Sequence, residues 1–143
     1  MDQSSPVLNH KKVLIVEDEV FIGDLFEYLL SKAEIQVIRS MDGADGLEKA
    51  NDKPDLILLD IMLPKMNGID VLTKLKLNPE TKNIPVVLVT NLGQANIVKK
   101  AFELGAQGYL LKINLDYPNL IPTIKKYLDD PKYTMSYERL DLE

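Results

Sequence analysis

Four short apolar runs punctuate the chain: Val13-Leu14-Ile15-Val16, Leu56-Ile57-Leu58-Leu59, Val86-Val87-Leu88-Val89 and Tyr109-Leu110-Leu111. Each is bounded by polar or turn residues, which predicts strands buried on both faces. A fifth stretch, Ile35 to Arg39, alternates only weakly and predicts a short strand. Between these runs the apolar residues fall at helical spacing. Residues 19–33 carry Ile22, Leu25, Phe26, Leu29 and Ala33 on one stripe. Residues 42–51 predict a short helix with Ala44 and Leu47 turned inward. A third helix runs from about Asn67 to Leu77 and is stopped by Asn78-Pro79. Residues 95–104 form a fourth, with Gly105 as its left-handed C-terminal cap. The fifth, 117–129, presents Leu120, Ile121, Ile124, Tyr127 and Leu128. Pro122 lies in its second turn and removes one backbone bond, which predicts a kink or a late start.

Strand then helix, five times over, is the pattern of an α/β domain: a parallel sheet with helices on both faces. In such sheets ligands bind beyond the carboxyl ends of the strands, where the strand order switches. The polar residues collect at those ends. Glu17-Asp18 closes the first strand, Asp60 the third, Thr90-Asn91 the fourth, and Lys112 the fifth.

Composition narrows the class. With 143 residues and 45% apolar content, one domain with a proper core is expected. Residues 1–10 read as a polar tail, 11–129 as the domain, and 130–143 as a tail or short extension. No apolar run approaches the roughly 20 residues that span a bilayer, and the start is polar, so neither a membrane association nor a secretory leader is expected. There is no cysteine, which suits a cytoplasmic location. A net charge of −5 argues against direct nucleic-acid binding.

The chemistry of the strand ends is specific. Asp18 and Asp60, with Glu17 beside them, are hard oxygen donors of the kind Mg²⁺ takes alongside water and phosphate. Three neighbouring acids call for a cation to offset their repulsion. Lys112 is a point charge on a flexible stem, suited to a phosphate oxygen. Thr90 offers a hydroxyl to another, and an aspartate can itself be a nucleophile that forms an acyl phosphate. Each residue alone has an ordinary reading. Asp60 can cap a turn, Glu17-Asp18 can start a helix, Lys112 can pair in solvent, and Tyr109 can simply pack. It is their common placement at strand ends that favours one site.

Four segments carry a family resemblance: Val13-Leu14-Ile15-Val16-Glu17-Asp18-Glu19; Leu58-Leu59-Asp60-Ile61-Met62-Leu63-Pro64-Lys65-Met66-Asn67-Gly68; Pro85 to Thr90; and Gly105-Ala106-Gln107-Gly108-Tyr109-Leu110-Leu111-Lys112. Together they resemble the receiver domain of two-component response regulators, over about residues 11–129. The resemblance implies a flavodoxin-like three-layer sandwich of five parallel strands, order 2-1-3-4-5, with five helices. It implies Asp60 as phosphoacceptor, and Glu17, Asp18, Asp60 and the Met62 carbonyl as Mg²⁺ ligands. Lys112 and Thr90 would contact the phosphate, and Thr90 and Tyr109 would form a switch pair. The donor would be a phosphohistidine on a sensor histidine kinase or a histidine phosphotransfer protein.

Three positions depart from the family pattern. Ile113 stands where proline is usual, Asn91 where a small residue is commoner, and Pro122 lies within the last helix. No effector module is legible after residue 129, so a stand-alone receiver signalling by protein contact is expected, with the 95–129 face as a contact or homodimer surface. The competing class is a pseudo-receiver, a constitutive interaction module without phosphate turnover. A dinucleotide- or flavin-binding enzyme is disfavoured, because no glycine-rich fingerprint follows the first strand.

Overall fold

The computed structural model describes residues 10–91 and 95–135. Five strands, β1 (Lys12–Val16), β2 (Gln36–Ser40), β3 (Leu56–Asp60), β4 (Val86–Thr90) and β5 (Gly108–Leu111), form one sheet in the order β2-β1-β3-β4-β5. All pairings are parallel. Five α-helices alternate with them among the described residues: α1 (Val20–Lys32), α2 (Gly43–Lys49), α3 (Gly68–Leu77), α4 (Ala95–Glu103) and α5 (Tyr117–Asp129). This is the expected three-layer, flavodoxin-like architecture.

Alternate residues of the same strands face opposite cores. Leu14, Val16, Ile57, Leu59 and Leu88 pack with Ala50, Val71, Leu72, Leu75, Val98 and Ala101, the layer carrying α3 and α4. Val13, Ile15, Leu56, Leu58, Val87 and Val89 pack with Phe26, Leu30, Leu120, Ile124, Tyr127 and Leu128, the layer carrying α1 and α5. The central strands are therefore apolar without interruption, because neither face meets water.

Several local details differ from expectation. The layer under α2 is made by Gly43, Gly46 and Ala50, while Ala44 is exposed. Gly46 lies so close to β1 that a Cβ there would come within 2.9 Å of Val16. The C-terminus of α4 is the expected glycine cap: Gly105 has φ 115°, and the amides of Gly105 and Ala106 close back on Phe102 and Ala101. The end of α1 has the same closure with Glu34 at φ 64°, a residue that no glycine rule would single out. Helix α5 begins at Tyr117 and runs through Pro122, so a late start is ruled out. The fifth strand lies one residue earlier than expected, and Lys112 opens a 3₁₀ turn, Lys112–Asn114, just beyond it.

Beyond α5 the chain turns back on the sheet. The Gln107 side-chain amide donates to the carbonyls of Pro131 and Tyr133 (2.9 and 2.6 Å), and the Met135 amide donates to the Gln107 carbonyl. The Tyr133 ring meets Tyr127 edge-on at 5.0 Å. Residues 130–135 are thus packed against the domain, whereas residues 1–9 of the tail expected at 1–10, and residues 136–143, lie outside the described residues.

Candidate functional site

The carboxyl ends of β1 and β3 lie side by side, with Val16 in register with Leu59. Each strand delivers one more residue past its apolar run, Glu17 and Asp60, into the rim of the sheet. The Glu17 backbone amide is held by the Ser40 carbonyl at 3.0 Å. The loop after β3 is tied off by the Gly68 amide on the Ile61 carbonyl at 2.7 Å. A Cβ at Gly68 would lie 2.5 Å from the Asp60 carbonyl oxygen, so only glycine lets α3 begin this close to the strand end. Asn67 caps that helix by accepting from the Asp70 amide.

Glu17, Asp18 and Asp60 each place a carboxylate oxygen within 4.8 Å of the others. Glu17 and Asp60 are buried, and Asp18 is half-buried. Lys112 reaches in from the far side of the sheet: its Nζ donates to Glu17 Oε2 (3.0 Å), Asp60 Oδ2 (3.1 Å) and Glu19 Oε2 (3.1 Å). The other Asp60 oxygen, Oδ1, accepts from the Met62 amide at 3.1 Å. Glu17 Oε1 is buried and has no hydrogen-bond partner.

Burial sets the electrostatics. It pushes the Glu17 carboxyl up to about 7, and the nearby Asp60 charge pushes the same way; the Glu19 amide and Lys112 oppose both. Burial likewise raises Asp60 above its ordinary value, against the pull of Lys112 and the Met62 amide. For Lys112, burial disfavours the charged form, but hydrogen bonds and charges from Glu17 and Asp60 outweigh it and hold the ammonium above its usual range. One buried cation thus serves two buried acids, and a lone pair on Glu17 remains unused. A site with surplus buried negative charge and an orphaned oxygen fits a hard divalent cation.

The other expected residues are more dispersed. The Thr90 hydroxyl donates to the adjacent Asn91 carbonyl at 3.2 Å rather than to the acids. Tyr109 is half-buried at the border of the α3–α4 core, and Met62 is 59% exposed. Asn91 and Ile113 are exposed at the rim.

The response regulator receiver domain family matches residues 13–125. The chain belongs to this family. It is 36% identical over 121 residues to the polar-differentiation response regulator DivK of Brucella anthropi, covering 84% of this chain and 98% of the relative. Among solved structures, a putative response regulator from Chloroflexus aurantiacus superposes with a TM-score of 0.78 at 27% identity, covering 85% of this chain and 99% of that one. The chemotaxis protein CheY4 of Vibrio cholerae superposes with a TM-score of 0.75 at 25% identity, covering 82% and 98%. The chain is therefore a receiver domain of the two-component signalling class. No described helix is long and apolar enough to cross a membrane.

One residue of this receiver site escaped sequence reasoning. Glu19 was expected only as part of α1, yet it is the third carboxylate on Lys112. Helical periodicity carries no hint of this, because the contact joins residues 93 positions apart. The acidic run Glu17-Asp18-Glu19 was the available signal.

Proposed function

We propose that this receiver is a phosphoacceptor in a His-Asp phosphorelay, loaded at Asp60 in the presence of Mg²⁺. The observation that carries the reading is the setting of Asp60. A buried carboxylate has one oxygen held by a backbone amide and the other by a lysine, beside two further acids. A pair of anchors at one carboxylate fixes its direction, and phosphoryl transfer is governed mainly by positioning and charge neutralisation.

In the transfer, an Asp60 oxygen gives its electron pair to phosphorus as the bond from phosphorus to the donor breaks. With a phosphohistidine of a sensor kinase or phosphotransfer protein, that bond is P–N, and the imidazole keeps its electron pair. Hydrolysis by water then returns carboxylate and inorganic phosphate. Lys112 neutralises one phosphoryl oxygen, and the Thr90 hydroxyl turns from Asn91 to donate to another. Glu17, Asp18 and Asp60, with the Met62 carbonyl, are the residues to hold Mg²⁺, which supplies positive charge to the phosphoryl oxygens when bound. Movement of Thr90 leaves room for Tyr109 to turn inward, and this pair relays the change to a partner surface.

The test is intact mass after incubation with Mg²⁺ and acetyl phosphate. A phosphate-sized gain is expected in the wild type and none in Asp60→Asn. An equal gain in both removes Asp60 as acceptor, and no gain in either favours the pseudo-receiver.

A further inference from the structure

We propose that Glu19 is a positioning residue that occupies the third donor of Lys112 and must release it when a phosphoryl group arrives. The inference rests on Asp60 being the acceptor. A lysine ammonium has three N–H donors. Here they have three carboxylate acceptors, at 3.0, 3.1 and 3.1 Å. No donor is left over, so a phosphoryl oxygen can be bound by Lys112 only by displacing one of them.

The three acceptors are unequal. The Glu17 and Asp60 side chains are 1% and 2% exposed, whereas that of Glu19 is 54% exposed. In the resting, metal-free site, before any transfer, releasing either buried carboxylate strands a charge away from water; releasing Glu19 returns it to solvent at little cost. Glu19 is also unengaged elsewhere. It is the N-cap of α1, yet its side chain makes no capping bond. Its backbone is pinned by its amide on Glu17 Oε2 (3.0 Å) and by the Gly23 amide on its carbonyl (3.0 Å). A fixed backbone with an exchangeable side chain at the open side of the cluster is the geometry of a placeholder. It keeps Lys112 saturated and aimed at Asp60 in the resting state, and it competes with the incoming phosphoryl oxygen.

Two substitutions separate this contact from a mere charge effect. Glu19→Ala removes both the charge and the contact. Glu19→Asp keeps the charge but is one methylene short of Nζ. The dissociation constant for beryllofluoride with Mg²⁺, measured by calorimetry, and the initial rate with acetyl phosphate, followed by intact mass, are compared with the wild type. Both variants are expected to bind beryllofluoride more tightly and load faster, by about two- to fivefold, the scale of one half-exposed ion pair. Glu19→Asp indistinguishable from wild type overturns the proposal, since only the field of the charge then matters. So does an unchanged Glu19→Ala, or a change confined to the melting temperature, which marks a purely structural role. If the wild type gains no phosphate, the reading of Asp60 fails first; if it loads normally and Glu19→Asp changes nothing, this inference alone fails.

Discussion

Two lysines of this receiver make ion pairs of opposite kind. Lys53 meets Glu80 at 2.8 Å, the shorter contact, with side chains 63% and 65% exposed. Lys112 meets Glu17 and Asp60 at 3.0 and 3.1 Å, with its own side chain 5% exposed. Distance ranks the first pair higher; physics ranks it lower. The surface pair trades one solvated arrangement for another, and its attraction is screened. The rim cluster has given up hydration, so each of its charges depends on the others. Only there does an acid move far enough to reach about 7, as Glu17 does. Clustered perturbed groups are where chemistry is expected, and this cluster sits at the switch point between β1 and β3.

Breaking the buried cluster is expected to have the largest effect. Lys112→Met leaves Glu17 and Asp60 buried without a cation, which should cost roughly 3 kcal/mol at pH 8. Urea unfolding measures it, and the loss should shrink at pH 5, where the Glu17 carboxyl accepts a proton. A loss independent of pH would mean that Lys112 acts by packing.

The pH dependence of the metal-free protein is the middle-sized test. The folded value of Glu17, about 7, lies above its ordinary 4.5. Between these values the folded state binds more protons than the unfolded chain, so stability falls as pH rises through the window and levels off above it. Asp60 is displaced in the same direction and adds to the fall. The drop in unfolding free energy should be up to about 3 kcal/mol, the Glu17 displacement taken at about 1.4 kcal/mol per unit, and should flatten in Glu17→Gln. If the site holds Mg²⁺ as proposed, the ion requires ionised carboxylates, so its stabilising effect should be larger at pH 8 than at pH 5. Thermal melts across this range with and without Mg²⁺ supply the comparison.

The surface pair gives the smallest effect. Glu80→Gln should leave the urea midpoint unchanged within error, despite the shorter contact. A loss comparable to that of Lys112→Met would overturn the ranking.

Much of this was legible in the chain. The uninterrupted runs at β1, β3 and β4 declared strands buried on both sides, and the acids closing β1 and β3, with the lysine after β5, declared the rim. Glycine at 105 and Asn78-Pro79 marked helix ends because their backbone preferences are local. Less legible was whatever depends on a neighbour in space. Ala44 looked like a core residue because it is apolar, but it is exposed; of the two residues expected inward only Leu47 packs on the core, beside Gly43, Gly46 and Ala50, and Gly46 lies close against β1. Pro122 pointed to a kink or a late start, yet α5 starts ahead of it at Tyr117 and continues through it, seated by Leu120, Ile124, Tyr127 and Leu128. Residues 130–135 read as a tail or short extension, and it takes tertiary contacts from Gln107, Lys126 and Tyr127 to hold them in place.

Sequence alone thus specified the alternation of strand and helix and the residue types at each strand end, because periodicity and turn chemistry act over a few residues. It could not specify which carboxylates share Lys112, nor that Glu17 Oε1 is left without a partner. Those facts depend on three strand ends converging from positions up to 95 residues apart and excluding water together. Burial is a property of that convergence, and burial is what turns four ordinary side chains into a coupled site.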